Sequence, residues 1–366
     1  MSQVWLPCGQ YHETYEKDQG WWQTTFIKFK MILLLALVFI GIPWFMPEYW
    51  IGVATMVGYT AMGAMGVQLL IGYTGLITLG HAAFIAVGAY TSVMLILRVP
   101  WPSFITEWGL AYPISIVIAA VVAGLWSVLF GLPSAKVKGF YLILTTMAAQ
   151  FITVDFILTQ YVSQIGGRGQ AFSLPPGTIK IGHAVIDSER EIYYLMATLC
   201  TLMVIVMANL LRSKVGRAWV AIRDNDIAAE TLGINIVWYK LLAFFVAGVM
   251  GGVAGAFWVS NTAALSPEHF PWYWSLWLVG VILIGGVGSI HGVFFGSLFM
   301  VLVMELLQWA VIPLSEYYPK LLVDFSFIKD MAFGLAICAF LIYEPNGLSY
   351  RWWQIKNYFN LWPFSY

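Results

Sequence analysis

Long apolar runs alternate with short polar breaks along most of the chain. Ten of them approach the roughly 20 residues a helix needs to cross a bilayer. They lie at 31–47, 50–70, 75–97, 111–131, 139–159, 191–211, 239–259, 273–288, 291–312 and 328–343. The pair 273–288 and 291–312 is divided only by the tight break Gly285-Gly286-Val287-Gly288-Ser289. The pattern predicts an all-α integral membrane protein with about ten transmembrane helices in a domain spanning 31–343.

The polar remainder falls into four places. Residues 1–30 are charged, and the apolar run that follows lacks an A-x-A-like exit, so they read as a cytoplasmic leader rather than a signal peptide. Residues 160–190 form the longest connection on the opposite side, with turn-forming Ile165-Gly-Gly-Arg-Gly169 and Leu174-Pro-Pro-Gly177. Residues 212–238 form a polar island, RSKVGRAWVAIRDNDIAAETLGINIVW. Residues 344–366 form an aromatic tail with Trp352, Trp353 and Trp362, which by composition is an interfacial anchor. With the N-terminus placed inside, Lys and Arg favour the inner segments two to one. That bias puts both termini and the 212–238 loop in the cytoplasm.

Composition fits lipid as the solvent. Charged residues are 10% of the chain, against about 25% in a soluble domain. The 18 Trp and 19 Tyr suit the two membrane–water boundaries. A net charge of zero with no basic stripe argues against nucleic acid as a partner. Cys8, Cys200 and Cys338 are far apart and lack a CxxC, so neither a disulfide nor a metal site is expected. Small residues form stripes at Gly248, Gly252 and Ala256 and at Gly251 and Gly255, as close helix packing in lipid requires. Gly75, His81 and Phe84 also match Gly285, His291 and Phe294 at a constant offset, a hint of a parallel internal repeat. Gly75, His81, Gly285 and Gly288 are the candidates for a translocation pathway, because glycine-rich breaks permit close backbone approach.

Catalytic chemistry is missing. There is no HExxH, no GxSxG elbow and no GxxxxGK[ST] phosphate loop. An enzyme reading would have to rest on His81 and His291, which read better as capping or backbone-bonding groups. An ion-coupled carrier usually places carboxylates deep in its spans. Here Glu305 is the one carboxylate well inside a run. The chain therefore reads as a pathway without its own energy source and without a cofactor of its own, which gives weight to the polar island. Asp224-Asn225-Asp226 is a cluster of N-cap residue types, Ile227–Leu232 supplies two helical turns, and Gly233 is a natural stop. Arg217 and Arg223 offer charge and directional hydrogen bonds to a docking partner.

The stretch Gly216-Arg217-Ala-Trp-Val-Ala-Ile-Arg223-Asp-Asn-Asp226-Ile-Ala228-Ala229-Glu230-Thr-Leu-Gly233-Ile resembles the cytoplasmic signature of the LivM-type permeases of branched-chain amino acid ABC importers. Its Ala228-Ala229-x-x-x-Gly233 core is similar to the general importer loop Glu-Ala-Ala-x-x-x-Gly, with Ile227 where that pattern has Glu. Gly72-Tyr-Thr-Gly75-Leu-Ile-Thr-Leu-Gly80-His81-Ala-Ala-Phe84, Gly285-Gly-Val-Gly288-Ser-Ile-His-Gly292 and Glu344-Pro-Asn-Gly347-Leu resemble further family motifs in the same order, over roughly 50–350.

The resemblance implies a bacterial inner-membrane permease. Its partners would be a homologous second permease, two cytoplasmic ATPases that bind ATP and Mg, and an extracytoplasmic binding protein. The Ala228–Gly233 helix of the 212–238 coupling loop would sit in a cleft of one ATPase. Branched-chain or other neutral amino acids are the expected cargo, with urea or short amides as the runner-up and a stand-alone channel or secondary carrier as the competing class.

Overall fold

The computed structural model describes residues 25–361 apart from 138, 163–171, 176, 183, 263, 317 and 319–324. Among the described residues, nine helices are long and apolar enough to cross a membrane. Six of them precede the polar island or form its boundary: α1 Lys28–Phe45, α2 Glu48–Tyr73, α3 His81–Arg98, α4 Ala111–Lys136, α5 Phe140–Gln160 and α6 Glu189–Arg212. The island forms two short helices, α7 Lys214–Asp224 and α8 Asp226–Thr231. Then come α9 Ile236–Thr262, the shorter α10 Trp272–Gly285, α11 Ile290–Ser315, α12 Phe325–Tyr343 and α13 Gly347–Leu361.

The eighth apolar run, 273–288, forms a helix that starts within one residue of expectation but ends three residues early. Its helix α10 has 14 residues, about 21 Å at 1.5 Å per residue, which is short of a roughly 30 Å hydrocarbon core. The chain before it is irregular: a strand pair joins Phe172–Ser173 to Ala264–Leu265, and a 3₁₀ turn follows at Pro267–His269. Helix α3 likewise begins at His81 rather than 75, after a non-helical stretch at 75–80. Glycine-rich Ile165–Gly169 and the leader before Thr25 lie outside the described residues.

Helix α9 is the hub of the core, and its small-residue stripes divide between two neighbours. On one side a Cβ at Gly252 would stand 2.8 Å from the Ala119 carbonyl, and one at Gly248 would stand 2.3 Å from Ser127 Oγ, both in α4. On the other, a Cβ at Gly255 would stand 2.0 Å from the Ile85 carbonyl of α3. Helices in lipid gain little from a hydrophobic drive toward each other, so backbone-to-backbone approach of this kind is how they gain dispersion contacts. Ser127 Oγ adds a hydrogen bond to the Phe244 carbonyl at 2.7 Å. The carboxylate of Glu305 accepts a hydrogen bond from the Tyr49 hydroxyl, which also receives Trp309 Nε1 at 3.3 Å.

Candidate functional site

The two short helices of the island are held against one end of the helix bundle by local chemistry. Ser213 caps α7, its Oγ accepting from Val215 N at 3.2 Å. Gly216 allows the sharp corner after α6, since a Cβ there would stand 2.4 Å from Leu211 Cα. Trp219 is fully buried and donates Nε1–H to the Tyr239 carbonyl at 2.8 Å, which ties α7 to the first turn of α9. Within the Asp224–Asp226 cluster it is Asn225 that caps α8, with Oδ1 accepting from Ala228 N at 3.1 Å. The exit is a Schellman turn: Gly233 N donates to the Glu230 carbonyl at 2.9 Å and Ile234 N to the Ala229 carbonyl at 3.1 Å. Gly233 has φ +83°, a left-handed geometry that glycine adopts without penalty.

This capped turn divides its residues between inside and outside. Ala229 is buried at 1% exposure, turned toward the bundle, whereas Ala228, Glu230 and Gly233 are exposed. Two large apolar side chains also stand in the open on α8 and its exit: Ile227 at 69% and Leu232 at 80% exposure. Arg217 lies on the exposed side of α7.

Arg223, the last basic residue of α7, reaches the opposite way. Its Nη1 donates to the Gly72 carbonyl at 2.7 Å, while Nε and Nη2 donate to Asp224 at 3.2 and 3.1 Å. Gly72 belongs to the widened π turn Gln68–Tyr73 that ends α2. A Cβ on Gly75 would stand 3.0 Å from Arg223 Cγ, and one on Gly288 would stand 3.3 Å from Arg223 Nη1. The break after α2 and the break after α10 therefore meet on one side chain from the loop.

A second bridge runs beside it. Gln68 Nε2 donates to the carbonyls of Gly286 at 3.1 Å and Ser289 at 2.9 Å. From the far side, a Cβ on Gly347 would stand 2.6 Å from Gly286 N, so the Glu344–Gly347 exit motif seats on the same break. Arg351 Nε closes onto Glu344 at 2.6 Å and steadies that exit. An open cleft of about 360 Å³ lies between the loop and the bundle, lined by Thr74, Gly75, Gly139, Arg223, Asp226 and Lys240 among others.

The residues read from the sequence thus separate into three positions. Gly216, Arg217, Arg223, Asp226, Ala228, Ala229, Glu230 and Gly233 share the loop. Gly75 and Gly288 stand against its Arg223. His81 and Gly285 lie away from it: His81 opens α3, fully buried, with its ring against Gly66 and Gly251, and Gly285 packs on the Gly292 carbonyl. Sequence reasoning missed Gln68 and Trp219. A lone amide inside the apolar run 50–70 was the available signal for Gln68.

The family model described as branched-chain amino acid transport system / permease component matches residues 49–343. A high-affinity branched-chain amino acid transport system permease protein LivM from Escherichia coli is 26% identical over 88% of this chain and 75% of its own length. The LivH permease protein of the same system and organism is 26% identical over 79% of this chain and 90% of its own length. A guanosine ABC transporter permease protein from Bacillus subtilis, NupQ, is 24% identical over 54% of this chain and 62% of its own. No solved structure matches.

Proposed function

Because the chain belongs to the branched-chain amino acid transport system / permease component family, we propose that this multi-pass membrane permease is one pathway subunit of an ABC importer for branched-chain or other neutral amino acids. It works beside a homologous second permease in a bacterial inner membrane. Two ATPases carry the ATP and Mg and grip the loop from the cytoplasm, and an extracytoplasmic binding protein delivers the solute. The similarity to both LivM and LivH, two permeases named for one system, supports a paired arrangement.

The observation that carries the ATPase part is the two-faced α8. Its exposed Ile227 and Leu232 offer an apolar contact to a soluble partner. Through α7, Arg223 hands the motion to the glycine breaks that end α2 and α10. Nucleotide-driven closure of the ATPases would then shift the bundle between two states. Binding can shift such an equilibrium only by its difference in affinity for the two. Against a stand-alone carrier stands the engagement of Glu305 with Tyr49, which leaves that carboxylate a structural partner rather than an open ion site.

The test is gentle purification from native membranes, mass spectrometry of the co-purifying chains, and uptake by the reconstituted assembly. The expected result is two ATPases, a second permease and ATP-dependent leucine, isoleucine or valine uptake. The same assay with urea, short amides and guanosine separates the cargo classes. Solute flux from the purified chain alone in liposomes would overturn the importer reading.

A further inference from the structure

Around the start of α10, three buried polar atoms have no hydrogen-bond partner among the described residues. Gln150 has ten residues of α5 on either side, and its side chain is 1% exposed. Its Nε2 donates to the Phe270 carbonyl at 2.9 Å, and its Oε1 is unpartnered. Phe270 directly precedes Pro271, the N-cap of α10. The Gln150 amide therefore lies at the N-terminus of the helix that is too short to span. Irregular backbone is tolerated at such depth only where protein buries it or it lines a cavity.

Tyr59 sits near the middle of α2 at 3% exposure, and its hydroxyl is also unpartnered. Its ring lies 4.7 Å from Trp258 and 5.6 Å from Trp274, the latter in the first turn of α10. Trp258 Nε1 is the third unpartnered atom. Trp274 stacks on Phe270 at 5.7 Å, which closes the chain of contacts back to Gln150.

These groups are complementary to one kind of guest. An α-helix N-terminus presents unbonded N–H groups and a partial positive charge, suited to a carboxylate. Trp258 Nε1 only donates, whereas Gln150 Oε1 only accepts and so suits an ammonium. The rings of Phe270, Trp274 and Tyr59 suit an apolar side chain. Unpaired polar atoms buried in a bilayer are costly, so their gathering around one helix end calls for a partner that satisfies them.

We propose that the first turn of α10, with Gln150, Tyr59 and Trp258, is the intramembrane contact site for the transported solute, a zwitterionic amino acid with an apolar side chain. The proposal rests on the importer reading and adds a place and a mode of recognition to it.

The test uses the whole transporter complex with Cys8, Cys200 and Cys338 replaced by Ser. Single variants Gln150→Cys and Tyr59→Cys are treated with a small water-soluble methanethiosulfonate reagent in membrane vesicles, at rest and during ATP turnover. Ala123→Cys, in the packed α4–α9 contact, is the control. The site predicts labelling of both site cysteines during turnover, slowed severalfold by saturating L-leucine, and none at Ala123→Cys.

Labelling absent in every nucleotide state, as for a site filled by resident water or sealed by packing, overturns the proposal. So does labelling that leucine, isoleucine and valine leave unchanged. The cysteine-free parent keeps the two ideas apart. If it shows no ATP-driven uptake of these amino acids, the importer reading fails; if it takes them up and the cysteines are unprotected, only the site fails. Independently, Tyr59→Phe should raise KM for leucine about five- to tenfold, the effect of about one hydrogen bond.

Discussion

Arg223 donates a 2.7 Å hydrogen bond to the Gly72 carbonyl across 151 residues of chain, joining the polar loop to the end of a membrane span. The carbonyl is one of those left unbonded at a helix C-terminus, where a guanidinium is favoured by geometry and by the helix dipole. Asp224 holds the other edge of the guanidinium, so the fork is fixed at both sides.

Replacing Arg223 with Lys should therefore not be conservative. An ammonium cannot hold Asp224 and Gly72 in one planar fork. The expected result is a complex that assembles and hydrolyses ATP while uptake falls about tenfold or more, the equivalent of about 1.4 kcal/mol lost in coupling. Parallel uptake and ATPase assays on reconstituted complex check it. Equal losses in both would mean that Arg223 serves assembly instead.

The exposed apolar pair on α8 separates docking from folding. Ile227→Asp with Leu232→Asp touches side chains that are 69% and 80% exposed, so melting of the isolated chain in detergent should change little. Recovery of ATPases on pull-down should drop severalfold. Ala229→Arg is a poorer probe, because Ala229 is buried and a failure there confuses docking with damage to the bundle.

The turn itself has a calculable tolerance. Asn225→Ala removes the cap of α8 and should cost about 1 kcal/mol of local stability. Gly233→Ala forces a side chain into the left-handed region and should cost about 1–2 kcal/mol. Faster amide hydrogen exchange over 225–234, with exchange in α9 unchanged, is the expected signature of both.

Packing around α9 predicts a sharp contrast between two glycines. Gly255→Leu drives a side chain into the Ile85 backbone, and overpacking of this kind costs about 3 kcal/mol or more when neither helix can retreat. Gly334 in α12 has nothing within 4 Å of its Cβ position, so Gly334→Leu should leave the protein level in the membrane unchanged. Fluorescence size-exclusion profiles of the two variants decide it.

Much of the architecture was legible because lipid demands continuous apolar runs, and the α9 stripes were legible because small residues recur at helical spacing. The cap and stop of α8 could be read to within one residue, Asn225 being chosen from a cluster of three equivalent types. Where reading failed, distance in sequence was the cause. Nothing local in Arg223, Gly72 or Gly288 reports that they touch. The run 273–288 is apolar along its whole length, so hydropathy could not reveal that its helix stops at Gly285, three residues early. Gln68 was visible as a polar residue in an apolar run, but its partners at Gly286 and Ser289 depended on the fold.

The short α10 also bears on how this chain is counted. Among the described residues, nine helices are long and apolar enough to cross, an odd number that would leave the two ends of the bundle on opposite faces. Yet Gly347 and Arg223 both abut the break that follows α10, and α2 brings the face holding Lys28 to the same side. A tenth passage made of α10 and the irregular chain before it would restore an even count. Reporter fusions after Thr262 and after Ser289 should report opposite sides, a parity that a length threshold would miss.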